Sequence, residues 1–240
     1  MNAGWLATLT FLLAGATAAD AESVAPTSVL SVAEADALLA YPPGSLSLGS
    51  TGNGSLLEPV RIALRGEGWR FLPRVKRRAT NHGTAEMAAL IERLGAAVAT
   101  AYDGANLQLG NVSVREGGKT PWHASHQAGR DIDILFLARD GRGRPADLRE
   151  FVSFDEEGRC TVPRSKLTFD DKRNLTVVRA LLEDDEARVQ WIFVADWLKA
   201  RLLAQARQQA LPDELLTRME AVLRQPSDSM PHANHFHVRT

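Results

Sequence analysis

The chain has 240 residues, of which 45% are hydrophobic and 24% are charged, and its formal net charge is -1. This length and composition are typical of a globular protein with one sizeable core. The balanced charge provides no long-range field that would attract DNA, RNA or an anionic bilayer, so we expect no nucleic-acid partner. The single cysteine, Cys160, excludes an intrachain disulfide and a zinc site built from thiolates.

Residues 1–21 have the outline of a signal peptide for export. The segment from Trp5 to Ala19 is apolar and uncharged but too short to span a bilayer comfortably, and the small residues from Ala16 to Ala21 match a cleavage pattern. After cleavage we expect no stable insertion into a membrane. No Lys or Arg precedes the apolar segment, so an uncleaved membrane anchor is the alternative.

Residues 22–44 predict a linker or edge segment, and we expect the folded domain over residues 45–240. The stretch from Gly49 to Ser55 is rich in Gly, Ser and Asn, a composition that favours turns and excludes regular structure. The alternation of apolar residues from Glu58 to Pro73 then predicts a hairpin around Gly66–Gly68.

A basic stretch follows from Arg74 to Arg78, with the sequence Arg-Val-Lys-Arg-Arg. It contains no aromatic residue that would stack on bases, so it does not indicate nucleic-acid binding. We interpret it as a solvated loop or as a contact for an acidic polymer.

Apolar residues at three-and-four spacing predict four helices farther along the chain. The first begins after Thr84, and the second is capped by Asp170 or Asp171. The last two are predicted over Asp196–Ala210 and Asp213–Arg224.

Four segments predict strands. They are Leu107–Val114 with a bulge at Gly110, Asp131–Ala138, Val189–Val194 and His235–Arg239. Because side chains alternate along a strand, Asp131 and Asp133 share one face of the second, and His235 and His237 share one face of the last. The apolar residues between them then face the core.

Five of the six histidines fall in two short clusters, at residues 123–126 and 232–237. Zinc prefers four ligands in tetrahedral array, including imidazole nitrogen and carboxylate oxygen, and a catalytic site leaves one position for water. His126, Asp133 and His237 would supply three ligands, with His235 near the bound water. A lone histidine is more often structural, and a disordered His-rich tract could also bind metal. The apolar residues beside these histidines favour a built site.

Other catalytic patterns are missing from the sequence. It contains no His-Glu-x-x-His, no Ser-x-x-Lys and no Gly-x-Ser-x-Gly, which argues against helix-borne zinc proteases of that type and against serine acyl enzymes. The glycine patterns that bind phosphates or dinucleotides are missing as well.

A histidine followed seven residues later by an aspartate, His126 and Asp133, is joined far downstream by His235-Phe236-His237. This combination resembles the lysostaphin and D-Ala-D-Ala metallopeptidase group. More specifically, the stretches His123–Ile134 and His232–Arg239 resemble the penicillin-insensitive murein endopeptidases. The likeness covers roughly residues 45–240 and includes Ser125, Gly129, Ser47–Ser50, Asn53–Gly54 and Trp191–Val194.

The resemblance implies an α+β fold, in which helices flank a mostly antiparallel central sheet and a zinc site lies at one face of that sheet. It further implies a periplasmic enzyme that hydrolyses peptide cross-links of peptidoglycan, typically between D-alanine and meso-diaminopimelate. Because no histidine occurs from Gln127 to Pro231, we expect one zinc ion and not two.

In such a site His126, Asp133 and His237 would hold the zinc. His235 would take the proton of the attacking water as the catalytic base, and His232 or His123 would stabilise charge in the transition state. The other predicted site residues would contact the ligands or the substrate; they are His123, Ser125, Gln127 and Asp131, the last of which would orient a ligand or pair with Arg130 or Arg239.

Two other functions are compatible with the same residues. The protein could be a wall-binding or regulatory module that keeps the zinc site without turnover. It could also be a D,D-carboxypeptidase or dipeptidase of the same metal group, since the sequence does not decide whether the substrate groove is open at both ends.

Overall fold

The computed structural model describes residues 44–103, 105–227 and 229–240. The predicted signal peptide and nearly all of the predicted linker, residues 22–44, lie outside the described residues. Within the described part of the chain, no helix combines the length and hydrophobicity needed to cross a membrane.

A seven-stranded mixed sheet forms the centre of the fold. Its strands, in spatial order, are β13 (Leu223–Arg224), β12 (Trp191–Phe193), β14 (His235–Arg239), β8 (Asp131–Leu135), β7 (Leu107–Leu109), β5 (Trp69–Phe71) and β4 (Arg65–Gly66). The pairs β12–β13 and β5–β7 are parallel, and the other neighbouring pairs are antiparallel. The last strand of the chain therefore lies in the middle of the sheet beside β8.

Three smaller sheets surround the central one. They are the hairpin of β1 (Leu46–Ser50) and β2 (Asn53–Leu57), the pair of β3 (Val60–Arg61) and β6 (His82–Gly83), and the group of β9 (Ala138–Arg139), β10 (Pro145–Ala146) and β11 (Thr168–Phe169).

The hairpin of β1 and β2 corrects the prediction that residues 49–55 exclude regular structure. Gly49 adopts a left-handed φ of +72°, and a Cβ atom on Gly54 would lie 2.3 Å from the carbonyl oxygen of Ser50. The glycines therefore permit two strands to pair closely across a tight turn, and they do not interrupt them.

The described residues form five helices. They are α1 (Pro73–Arg78), α2 (Ala85–Ala101), α3 (Asp171–Glu183), α4 (Asp196–Gln208) and α5 (Asp213–Val222). The predicted caps of α2 and α3 are confirmed, because Thr84 Oγ1 accepts a hydrogen bond from Met87 N and the Asp170 side chain accepts one from Arg173 N.

The basic stretch from Arg74 to Arg78 is helical, so the prediction of a loop is wrong. Pro73 occupies the first turn, where its fixed φ suits a helix and its missing N–H costs nothing. The side chain of Val75 is fully buried and anchors the helix to the core. The basic side chains then lie on the outer side of α1.

The predicted strand from Leu107 to Val114 is too long. Gly110 N still donates to the carbonyl oxygen of Asp133 at 2.7 Å, but Val112 N donates to Thr80 O, on a different part of the chain. Asn111 O still accepts from Asp133 N at 3.1 Å, so the backbone leaves the sheet after Asn111. The helix predicted to reach Arg224 similarly ends at Val222, since the next two residues pair with β12 as a strand.

One apolar core lies between the sheet and the helices. It contains Ile132 and Ile134 of β8, Phe236 and Val238 of β14, and apolar residues of all five helices. The predicted α+β class and the largely antiparallel sheet are therefore confirmed, with two parallel strand pairs added. The opposite face of the β8–β14 pair does not belong to this core.

Candidate metal centre

The pairing of β8 with β14 brings the two histidine-containing parts of the chain together. The two strands are antiparallel, with His237 directly opposite Asp133 and Arg239 directly opposite Asp131. Cross-strand neighbours place their side chains on the same face of the sheet. This polar face therefore combines two carboxylates from the middle of the chain with imidazoles from its end.

His126 joins this face from the loop before β8. Its backbone has a left-handed φ of +65°, which is uncommon for a residue with a side chain and is often found at functional sites. The backbone N–H donates to Asp131 Oδ2 at 3.0 Å, and Ser113 Oγ donates to the His126 carbonyl oxygen at 2.7 Å. The loop conformation is thus held by buried hydrogen bonds, one of them from the polar face itself.

Gly110 makes room for Asp133. A Cβ atom at Gly110 would lie 2.7 Å from Asp133 Cβ and 2.9 Å from Phe151 Cζ. Any larger residue would displace the carboxylate around which the histidines are arranged.

Asp133 Oδ1 lies at the centre of the cluster. It is 3.1 Å from His126 Nε2, 3.3 Å from His235 Nε2 and 3.6 Å from His237 Nδ1. On the other side of the cluster, His237 Nε2 lies 3.4 Å from Asp131 Oδ1. The structure therefore brings the three predicted ligands together with the predicted catalytic base.

Several buried atoms of the cluster have no hydrogen-bond partner among the described residues. They are His126 Nε2, both carboxylate oxygens of Asp133, His237 Nε2 and His232 Nδ1. A buried polar atom without a partner costs free energy, and such a concentration in one place needs an explanation. Nitrogen and carboxylate donors that converge in this way fit a cation such as zinc.

In the part of the chain that the structure describes, three groups of side chains could hold a metal ion. In each group the potential ligand atoms lie within 4.8 Å of one another; the groups are His123, His126 and Asp133; His126, Asp131 and His237; and His232, His235 and His237. The predicted ligand set is distributed over these groups. His126 belongs to the first two groups and His237 belongs to the last two.

Hydrogen bonds to the second ring nitrogen orient two of the histidines. His126 Nδ1 lies 2.7 Å from the carbonyl oxygen of Val112, and His235 Nδ1 contacts Asn234 Oδ1. Because both partners are acceptors, each Nδ1 carries the hydrogen and each Nε2 is left with a free lone pair. Both Nε2 atoms face Asp133, where they are available to a metal or to a proton.

His123 is held differently. Asn111 Nδ2 donates to His123 Nε2 at 2.6 Å, while Asn111 Oδ1 accepts from Thr80 Oγ1 at 2.7 Å. The second hydrogen bond orients the amide of Asn111, which is buried. The sequence analysis did not identify Asn111 as a site residue. Its only signal in the sequence is its position directly after β7 and Gly110.

Burial and charge shift the histidine pKa values in different directions. Burial alone would lower the pKa of His126, but the carboxylate of Asp133 outweighs it and raises the pKa to about 8. Burial, reinforced by the charge of His126, lowers the pKa of His123 to about 4, and burial lowers that of His232 to about 3. A positive charge is therefore favoured on His126, beside Asp133, where a bound cation would replace the proton.

Both carboxyl groups are held in the charged form. Burial would raise the pKa of Asp133, but His126 and His235 outweigh burial and hold the pKa well below its ordinary value. Burial acts in the same way on Asp131, and its neighbours His237 and Arg239 hold that pKa low. Charged carboxylates are the form that binds metal.

Asp131 pairs with Arg239 and not with Arg130. Arg239 Nε donates to Asp131 Oδ1 at 2.8 Å and its Nη2 donates to Oδ2 at 3.2 Å, whereas Arg130 donates to the carbonyl oxygen of Gly49. Asp131 therefore links Arg239, the backbone of His126 and the ring of His237 into one network.

A cavity of about 440 Å³ opens beside the cluster. It is lined by residues from the β1–β2 turn, from the loop that contains His123, from β12 and from the second histidine-containing segment. These include Thr51, Trp122, His123, Ser125, Phe193, His232 and His237. Gln127 does not line it, because its amide donates to Ala124 O within its own loop. Of the residues predicted to contact ligands or substrate, Ser125 and His123 border this space.

Two comparisons with known proteins bear on this cluster. A search of the curated proteins finds no match for the chain. The family model described as penicillin-insensitive murein endopeptidase matches residues 47–240, a range that includes β8, β14 and every residue of the cluster. The match covers most of the chain, and the chain therefore belongs to the penicillin-insensitive murein endopeptidase family.

Proposed function

We propose that the protein is a zinc-dependent endopeptidase that hydrolyses the peptide cross-links of peptidoglycan, of the type that joins D-alanine to meso-diaminopimelate. The family supports peptidoglycan hydrolysis. The observation that carries the metal dependence is the set of buried nitrogen and carboxylate atoms without partners that converge on Asp133. These atoms belong to charged or lone-pair donors, which a divalent cation would satisfy together.

His126 Nε2, a carboxylate oxygen of Asp133 and a ring nitrogen of His237 would hold one zinc ion. When bound, zinc supplies a Lewis acid that activates water and polarises the carbonyl of the scissile peptide. Asp131 and Val112 orient the ligands, since they bind the backbone and the second ring nitrogen of His126.

His235 is the proposed general base. Its Nδ1 is held by Asn234, so the free Nε2 can take a proton from water and return it to the departing amine. The ring of Phe151 lies edge-on against the His235 ring at 4.9 Å between centroids, which restricts its orientation. His232 lines the cavity and would stabilise charge on the substrate as a hydrogen-bond donor.

The cavity beside the cluster would receive the cross-linked peptide. Its aromatic walls, Trp122 and Phe193, suit the aliphatic parts of a peptide, while His123 and His232 face its polar groups. Such a substrate lies outside the cytoplasm, so the proposal includes export to the periplasm by the predicted signal peptide.

Digestion of purified sacculi tests the proposal. The protein should release soluble muropeptides and convert cross-linked dimers to monomers, a chelator should stop both reactions, and penicillin should stop neither, because no serine is acylated. Binding to sacculi without release of fragments would instead support a wall-binding module. Removal of terminal D-alanine from pentapeptide monomers, with dimers left intact, would support a carboxypeptidase.

A further inference from the structure

A second cavity, of about 390 Å³, lies beside helix α1. Its charged lining consists of Arg74, Arg77 and Arg78 from the helix and Arg149 and Glu150 from the segment after β10. We call it the arginine cavity. Four guanidinium groups and one carboxylate give it a clear positive excess, although the net charge of the whole chain is -1.

The guanidinium groups of the arginine cavity are not in direct contact with a carboxylate that the structure describes. Among the described residues, none of the four forms an ion pair or a hydrogen bond, whereas arginines elsewhere, such as Arg70, Arg93 and Arg201, pair with carboxylates. Burial and the charges of Arg78 and Arg77 lower the pKa of Arg74, and together they outweigh the opposing attraction of Asp133 and Glu150. An anion placed among these side chains would relieve the repulsion between them.

Aromatic rings connect the arginine cavity to the metal centre. The guanidinium of Arg74 lies 4.5 Å from the centroid of the Phe151 ring, and the same ring packs edge-on against His235. The guanidinium of Arg78 lies 4.5 Å from the centroid of the Trp122 ring, which lines the cavity at the metal centre. Two of the arginines are therefore held in place by rings that also border the proposed catalytic site.

We propose that the arginine cavity binds a free carboxylate of the substrate peptide, away from the scissile bond. This inference rests on the proposed function. Stem peptides of peptidoglycan carry free carboxylates on their glutamyl, diaminopimelyl and terminal alanyl residues. The planar guanidinium matches a carboxylate with two parallel hydrogen bonds, and groups held by aromatic stacking lose little freedom on binding. The site would select acidic stem peptides and fix their direction in the groove.

Equilibrium binding of a muropeptide monomer with an uncleavable short stem tests the inference directly. The free acid and the same monomer with its carboxylates amidated would be titrated calorimetrically into the metal-loaded protein and into its Arg77→Gln variant. The side chain of Arg77 is exposed. The free acid should bind the unmodified protein about tenfold more tightly than the amide. In Arg77→Gln this preference should fall below about twofold.

Matched variants sharpen the result. Arg142→Gln removes an exposed arginine from the turn between β9 and β10, which lines neither cavity, and should leave the preference unchanged. Arg77→Lys keeps the charge but not the fork and should give an intermediate preference. Equal loss of affinity for acid and amide in Arg77→Gln, or no loss for either, would overturn the carboxylate site.

Two further outcomes separate this inference from the proposed function. If the unmodified protein prefers the free acid but leaves cross-linked dimers intact, the carboxylate site stands and the endopeptidase proposal fails. If it cleaves dimers while Arg77→Gln weakens only the adsorption of the protein to whole sacculi, the cavity binds an anionic wall polymer and the carboxylate site is overturned.

Discussion

The two faces of the β8–β14 strand pair are built from adjacent residues but have opposite chemistry. On one face Ile132, Ile134, Phe236 and Val238 are all at most 1% exposed and belong to the apolar core. On the other face Asp131, Asp133 and His237 are also buried, yet several of their polar atoms have no partner among the described residues. These residues are buried on both faces, whereas His235 and Arg239 at the two ends of β14 are half-buried on the polar face. Only the apolar face gains stability from its burial.

This difference separates folding from function. Burial of apolar area stabilises the folded chain by about 25 cal/mol per Å², whereas a buried polar atom without a partner costs about 1–3 kcal/mol. The apolar face therefore holds the two strands in register. The polar side chains are buried with it because they belong to the same two strands. A bound cation would satisfy these polar atoms, and the free energy gained in this way would contribute to the affinity for the metal.

The largest expected effect is the loss of activity when the central carboxylate is neutralised. Asp133→Asn preserves the shape of the side chain but removes the charge that a divalent cation requires, so we expect no bound zinc and at least about 10³-fold less cleavage of muropeptide dimers. Elemental analysis of the zinc-to-protein ratio and chromatography of dimer digests would measure both. Full zinc occupancy in the variant would exclude Asp133 as a ligand.

A substitution on the apolar face should instead reduce the stability of the fold. Phe236→Ala removes a fully buried ring that packs against Phe136, so we expect the free energy of unfolding to fall by about 3–5 kcal/mol. Urea denaturation followed by tryptophan fluorescence would measure it. In the same assay on metal-free protein, His237→Asn should change stability far less, and a loss as large as that of Phe236→Ala would contradict the separation of the two faces.

A substitution in the ion pair between Asp131 and Arg239 should have a smaller effect. Arg239→Gln removes the cation paired with Asp131, which in turn holds His126 and His237, so we expect about 10–100-fold weaker zinc binding in a folded protein. Competition with a chromogenic chelator would give the affinity. Arg239→Lys keeps the charge and should recover part of it, and unchanged affinity in Arg239→Gln would show that the pair acts only on the fold.

The smallest expected effect concerns an ion pair far from either face. Hydrogen bonds from Arg93 hold the pKa of Asp184 below its ordinary value, and they tie α2 to the residue after α3. A lowered pKa contributes stability above the unfolded-state pKa of about 3.9, and this contribution is lost as the pH falls through the folded-state value. Arg93→Gln should therefore cost about 0.5–1 kcal/mol at pH 7 and less at pH 3, because solvent screens this partly exposed pair.

Urea denaturation of both proteins at the two pH values would test the ion pair. A difference that stays constant, or one that grows as the pH falls, would show that Arg93 contributes through packing and not through its charge. Zinc content should be the same in both proteins, since the pair does not contact the polar face.

The parts of the fold that were predicted well are those that local chemistry decides. The alternation in β8 and β14 assigned Asp131 and Asp133 to one face because a strand has a period of two. Thr84 and Asp170 marked the starts of helices because their side chains bind the free N–H groups of the first turn. The hairpin at residues 46–57 and the helix at Arg74 were missed, since pairing across a glycine turn and the burial of Val75 depend on contacts distant in sequence.

The donor types and the spacing of His126 and Asp133 could be predicted without the structure, because alternation and loop length are local properties of the chain. Tertiary contacts were needed to show that Asp133 lies opposite His237, that Asn111 holds His123, and that two arginines of α1 stack on aromatic rings beside the histidine cluster. Strand pairing joins segments a hundred residues apart, and it is selected by burial of the apolar face that the two strands share. The chemistry of the polar face follows from that pairing.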